Sequence, residues 1–243
     1  ISDCLVGSEM CIRDRNNHTM NIIDSLKWRY ATTDFDSSKK LSDEQLENLK
    51  KIVRLSPSSW GFQFYKIIVV EDQDLKKKLL PAAYNQSQIT DCSHLFIFCS
   101  YKEVFESDID KLIADMHETR KNDKDYDEKG INSYGEGSKD IILKMDKAKQ
   151  LEWLKKQCYI ALGQLMVGCA EMRVDACPME GFKNEEFDEI LDLKDKNLLT
   201  AVILPVGFRT SKDKYQYRSK FRKPSKDLFA VSYTHLRAHE TIA

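Results

Sequence analysis

No apolar run in this 243-residue chain reaches the roughly 18 residues a helix needs to cross a bilayer, so no membrane partner is expected. An excess of one charge is missing too. Formal net charge is −1, from 38 basic and 39 acidic residues, and gives no general attraction to nucleic acid. Neither GxGxxG nor GxxxxGK[ST] occurs, which excludes the two commonest phosphate-cradling loops. No His, Cys, Asp and Glu group has the spacing of a metal site. Ser56, Ser58 and Ser59 lack a GxSxG setting, which argues against a hydrolase nucleophile. CxxC spacing is absent as well. Cys92, Cys99, Cys158, Cys169 and Cys177 lie in or beside apolar runs and read as buried thiols of a reducing cytoplasm. Histidine is scarce inside the chain: His94 adjoins an apolar run and reads as structural, and His117 reads as solvated.

Both ends read as foreign. Residues 4–15 (CLVGSEMCIRDR) and 231–241 (VSYTHLRAHET) resemble translated sequencing-adapter read-through. The flanks 1–19 and 231–243 are therefore set aside as non-native. The expected natural start is Met20, and the end lies near Phe229 or Ala230. About 210 residues remain, enough for one domain over 20–230 with a sizeable core.

What is present is organised around residues 151–182, LEWLKKQCYIALGQLMVGCAEMRVDACPMEGF. From Cys158 to Ala170 almost every residue is apolar or small, leaving no polar face for water, and such a helix belongs in an interior. Ala161, Gly163, Gly168 and Ala170 let another backbone come close. That neighbour is either a core element of the same chain or the same helix of a second subunit. Pro178-Met179-Glu180-Gly181-Phe182 then forms a tight binding turn at the edge of the core.

Elsewhere, Ile22, Ile23, Leu26 and Tyr30 have helical spacing. Ser42 with Gln45 forms a capping box and Leu41 with Leu46 a hydrophobic staple, for a helix turning Leu46, Leu49, Ile52, Val53 and Leu55 inward. Strands are expected at 65–70, 95–100 and 198–206, with a polar helix at about 74–83 and a short amphipathic one at 184–193. Apolar spacing gives helix over about 107–120, and 122–137 reads as a mobile loop.

Polar clusters sit at the ends of these elements, and each alone has a bland account as cap, turn or solvated charge. In order they are Arg29-Tyr30-Ala31-Thr32 with Phe35-Asp36, Lys39-Lys40-Leu41, Ser56-Pro57-Ser58-Ser59 with Gln63, Asn85, and Ser93-His94. Glu152-Trp153 with Lys156-Gln157, the 178–182 turn, Pro205-Val206-Gly207 and Lys220-Phe221-Arg222 complete the set. Together they resemble the oxygen-insensitive NAD(P)H nitroreductase and dihydropteridine reductase group of the FMN-dependent nitroreductase family.

The resemblance implies an α+β fold, a mainly antiparallel central sheet flanked by helices, in an intertwined cytoplasmic homodimer whose 208–229 tail wraps the partner. It implies noncovalent FMN, with NAD(P)H as co-substrate, and hydride passing through the flavin to nitroaromatic, quinone or pteridine-type acceptors. Arg29, Lys220 and Arg222 would grip the FMN phosphate, a role suited to forked guanidinium groups. Asn85 would bond the pyrimidine edge, Ser58 would come from the partner, and the N–H groups of Glu180 and Gly181 would face N5 and O4. Tyr30, Ala31, Thr33 and Pro178 complete the cofactor-binding set. No catalytic side chain and no metal is required, because the cofactor carries the chemistry.

The chain departs from the family at Thr33 and Gln88, where lysines are usual. Trp60-Gly61-Phe62-Gln63-Phe64-Tyr65 replaces a polar segment, and this aromatic patch either lines the acceptor pocket or fills core. Trp60, Phe62, Gln88 and Tyr134, the last as the aromatic covering the flavin, are the pocket candidates. The lost lysines keep a second reading open, a flavin-binding or flavin-sequestering dimer with little turnover. A third reading is a structural or regulatory dimer without FMN.

Overall fold

The computed structural model describes residues 21–231, so the flanks expected to be foreign lie outside it, Val231 excepted. Helix α1, Ile22–Trp28, starts where the Asn21 side chain accepts the Ile23 N–H. Helix α2, Asp43–Arg54, has both halves of the Ser42–Gln45 capping box, worth about 1 kcal/mol. Leu41 and Leu46 pack in one cluster with the inward Leu49 and Val53. Leu55 does not face inward as expected and is 71% exposed. It is the C-cap, with φ −85° and ψ 5°, and has already left the helical stripe.

Strand β1 is Tyr65–Val70 and is followed by α3, Gln73–Leu79. The expected longer helix stops there because Pro81 opens a separate 3₁₀ turn, Pro81–Ala83. Strand β2 is His94–Tyr101. Helices α4, Glu106–Arg120, and α5, Glu128–Ile142, form a hairpin, and the long α6, Lys147–Glu171, follows. A short β3, Asp175–Ala176, helix α7, Asn184–Ile190, and β4, Leu198–Gly207, complete the frame.

The sheet is antiparallel in the order β1-β2-β4-β3. Alternation along β2 explains why the strands read as unbroken apolar runs. Leu95, Ile97 and Cys99 face a layer with Leu79 of α3 and Phe187 of α7, whereas Phe96 and Phe98 face α2 and α6. Both faces are covered, so both sets of side chains are apolar. Each of these fully buried phenylalanines contributes roughly 1.5–3 kcal/mol of transfer free energy.

Two further expectations are corrected. The 122–137 stretch is not a mobile loop, since α5 runs through most of it. Its apolar spacing is weak, and its three glycines each cost about 1 kcal/mol in a helix interior. Packing outweighs that cost. A Cβ at Gly135 would lie 2.9 Å from the Ile113 side chain, so glycine there lets α4 and α5 close on each other. Asp127 caps the helix through Gly130 N–H at 2.9 Å, and Lys139 pairs with Glu106, Asp110 and Glu136. His117 is not merely solvated: its ring nitrogens lie 2.8 Å from Tyr126 Oη and 2.9 Å from Asn132 Oδ1. Helix α6 is enclosed by its own chain on part of its surface only, which leaves the second-subunit neighbour open. Tyr159 and Ile160 are 40% and 43% exposed, and nothing lies within 4 Å of where a Gly163 Cβ would be. The five described cysteines are free and buried, and no helix is long and apolar enough to cross a membrane among the described residues.

Candidate functional site

The chain leaves α1 in extended conformation at Arg29 (φ −68°, ψ 145°). It then runs beside β3 through an Ala31–Ala176 bridge and beside the segment after β4 through a Phe35–Arg209 bridge. Behind it lies a buried ion pair. Asp175 accepts from Arg209 Nε at 2.7 Å, from Arg209 N–H at 2.8 Å and from Thr32 Oγ1 at 3.3 Å. The Arg209 guanidinium stacks on Trp28 and Tyr30, 4.2 and 4.4 Å from their ring centres. Burial pushes the Tyr30 hydroxyl up to about 12 against the opposing pull of Arg209.

Asp213 ties the same segment to the tail. Its carboxylate accepts Thr33 N–H at 2.8 Å, Tyr215 N–H at 3.0 Å and Asp34 N–H at 3.2 Å. Burial alone would raise its pKa, but these donors outweigh burial and hold it below the ordinary aspartate value. Thr33 also donates its hydroxyl to Asp213 at 3.3 Å, so both its polar groups serve this anchor.

The tail then brings two cations to Arg29. Lys220 donates to the carbonyl oxygens of Leu26 and Lys27 at the end of α1, at 2.7 Å for the first. Burial and then Arg222 lower the Arg29 pKa; burial, Arg29 and Arg222 lower that of Lys220. No carboxylate pairs with any of the three among the described residues. A partly buried guanidinium within the field of two further cations is a place for an anion.

The 178–182 turn supplies donors. Met179 N–H bonds Ile203 O at 2.9 Å and Lys183 N–H bonds Ala82 O at 2.8 Å. Between them the N–H groups of Glu180 and Gly181 have no acceptor among the described residues. Gln86, which the sequence reading missed, donates to Gly181 O at 2.7 Å and Ala83 O at 3.0 Å, locking the turn to the loop carrying Asn85. Asn85 is exposed with φ 56°. Tyr159 of α6 donates to Glu180 at 2.7 Å, and burial, then this carboxylate, push it up to about 12.

The aromatic candidates form a separate cluster. Trp60 has φ 60° and Gln63 φ 50°, a left-handed conformation that costs a bulky residue roughly 1–3 kcal/mol. Ser59 N–H to Gln157 Oε1 at 2.7 Å, Gln63 N–H to Ser58 Oγ at 3.0 Å and Tyr134 Oη to Trp60 O at 2.7 Å hold the loop. The Trp60 and Tyr134 rings lie 5.2 Å apart, with Phe62 buried behind at 5.8 Å from Tyr134. Trp60 and Tyr134 line a cavity of about 820 Å³ with Met116, Arg120, Tyr126 and Ile131, whereas Gln88 lies outside it in the short Gln88–Asp91 helix. Ser58 belongs to this cluster and not to the Arg29 corner.

The sequence model of the nitroreductase family matches residues 26–208. The chain belongs to the nitroreductase family. Among the relatives of this nitroreductase-family chain, the oxygen-insensitive NAD(P)H nitroreductase of Salmonella typhimurium is 30% identical over 203 residues, covering 80% of the chain and 91% of the relative. That of Enterobacter cloacae is 29% identical over 210 residues, covering 84% and 96%. A Streptococcus mutans nitroreductase-like protein shares the fold with a TM-score of 0.73 at 18% identity, over 87% of this chain and 98% of that one. An Exiguobacterium sibiricum structure, named a nitroreductase and solved in complex with FMN, has a TM-score of 0.75 at 17% identity, over 88% and 98%.

Proposed function

We propose that this protein is a cytoplasmic FMN-dependent oxidoreductase that passes hydride from NAD(P)H to nitroaromatic, quinone or pteridine-type acceptors. The observation that carries the reading is the Arg29 guanidinium, partly buried, with no carboxylate partner among the described residues and feeling the charges of Arg222 and Lys220. The donor set fits FMN. Arg29 and Arg222 offer forks for its phosphate, with Lys220 adding charge while it caps α1. The unengaged N–H groups of Glu180 and Gly181 suit a carbonyl and ring-nitrogen edge, and a Cβ at Gly181 would meet only Gln86 Nε2, at 3.5 Å. When bound, FMN supplies two-electron hydride chemistry. The chain orients it: the Gln86 lock and the Tyr159–Glu180 bond fix the donor turn, and Asn85 presents an exposed carboxamide beside it. Relatives named NAD(P)H nitroreductases support the nicotinamide as hydride source.

The purified protein is expected to be yellow, and its flavin absorbance should bleach on anaerobic titration with NADH or NADPH and return with a quinone. A colourless protein that cannot be reconstituted with FMN rules the proposal out. A yellow protein that neither nicotinamide bleaches returns the reading to flavin sequestration.

The single domain would span 20–230 and work as an intertwined homodimer. Supporting this are the uncovered stripe of Tyr159, Ile160 and Gly163, the exposed Ile22 and Ile23 of α1, and Phe221 and Phe229 in the tail, 85% and 64% exposed. Gly163→Leu should leave the protomer folded, since a Cβ there has nothing of its own chain within 4 Å, yet weaken dimerisation by obstructing a second helix. Gly168→Leu is the poorer test, because a Cβ there would lie 2.8 Å from Ile52 of the same chain. Sedimentation of Gly163→Leu as a dimer of wild-type affinity would rule out this face.

A further inference from the structure

The carbonyl groups of the 178–182 turn are used more fully than its N–H groups. Met179 O accepts from Ile203 N–H at 3.2 Å, and Glu180 O accepts from Phe182 N–H at 2.9 Å, a bond from i to i+2 that closes a γ-turn over Gly181. Gly181 O accepts from Gln86 Nε2 at 2.7 Å. Three successive acceptors are therefore taken, while the N–H groups of Glu180 and Gly181 are left over among the described residues. The neighbouring loop is strained. Tyr84 and Asn85 are successive side-chain-bearing residues in the left-handed region, with φ 54° and 56°. Gln86 follows them and ties both segments together. Its backbone N–H and its Nε2 donate to Ala83 O at 3.1 and 3.0 Å, and the same Nε2 reaches Gly181 O. Both amide hydrogens of the side chain are thus spent on carbonyl oxygens, one on each segment, and neither remains for a ligand.

We propose that Gln86 is the positioning residue of the cofactor's ring edge: by bonding both segments it holds the Asn85 loop and the N–H pair of Glu180 and Gly181 in one arrangement. Flavin affinity then depends on a side chain whose donors never meet the flavin. This rests on the FMN reading above and names what fixes its ring-edge site. The gain is one of preorganisation, because donors that must be ordered at the moment of binding subtract from affinity.

The test titrates FMN into the full-length apoprotein of wild type, Gln86→Glu and Gln86→Ala between about pH 5 and about pH 8, with flavin fluorescence giving Kd. Expressing each variant's Kd as a ratio to wild type at the same pH cancels the titration of the FMN phosphate. While protonated, the introduced carboxyl keeps one donor for Gly181 O or Ala83 O; ionised, it sets a carboxylate against both carbonyl oxygens. The Gln86→Glu ratio should therefore stay within about three-fold at the acid end and climb to about ten-fold or more at the alkaline end. The Gln86→Ala ratio should be about ten-fold throughout, the scale of one lost neutral hydrogen bond. The thermal midpoint at each pH verifies a folded apoprotein, so that Kd reads the site. A packing role alone would give losses that are alike in the two variants and flat in pH. The shift of the flavin's near-ultraviolet band on binding should also shrink in Gln86→Ala, because the ring-edge bonds weaken. Ratios near one in both variants, or a Gln86→Glu ratio that does not change with pH, overturn the proposal. Wild type that binds FMN and loses affinity in Arg29→Ala in that case leaves the FMN reading standing. Wild type that cannot be loaded with FMN removes both.

Discussion

Asp175→Ala is expected to lower the free energy of unfolding by about 3–5 kcal/mol, because it strands Arg209 without a countercharge in the interior. The Asp175 side chain is 5% exposed and that of Arg209 17%, so solvent can take over only a small part of the lost pairing. Asp175 also accepts the Arg209 backbone N–H and the Thr32 hydroxyl. The change therefore loosens the joint at which the segment after α1, strand β3 and the end of β4 meet. Urea unfolding of the mutant and of Asp175→Asn measures this. Asparagine keeps the shape and some bonds and should fall between the two. A loss below about 1 kcal/mol for Asp175→Ala would show that the pair does not hold this joint.

The second large effect falls on the cofactor. Arg29→Ala and Arg222→Ala should each weaken FMN binding by roughly 1.5–3 kcal/mol, about ten- to more than hundred-fold in Kd, the scale of a hydrogen bond to a charged group. Lys220→Met should weaken it less, because that ammonium already bonds carbonyl oxygens of α1 and acts on the anion through charge alone. Titration of FMN into apoprotein, followed by flavin fluorescence, gives the three constants. Unchanged affinity in both arginine variants would place the phosphate elsewhere.

The elements with strong local chemistry were legible in the sequence. The capping box of α2, the strands at 65–70 and 95–100 and the amphipathic α7 announce themselves through caps and apolar period. Helix α5 did not, because its glycines serve a contact with Ile113 that no local pattern shows. The same limit applies to the site. Arg29, Asn85 and the 178–182 turn stood out through order and spacing. Asp213, Gln86 and the Asp175–Arg209 pair did not, since each acts on a partner distant in sequence: 180 residues for Asp213 with Thr33, and 95 for Gln86 with Gly181. Nothing in the neighbourhood of Asp213 distinguishes it from other acidic residues of a charged tail. Trp60 was visible as a departure, but its left-handed backbone was not. The Tyr134 bond that holds it joins elements 74 residues apart.

The bond from Lys220 to the end of α1 spans 194 residues of chain. During synthesis Arg29 emerges long before Lys220 and Arg222 and must wait for them to be translated. The sheet and its flanking helices can assemble from the ribosome outward in that interval, because their contacts are nearer in sequence. The anion corner cannot. On the phosphate site proposed above, a chain released before Lys220 would therefore keep Arg29 but lack the two cations that join it.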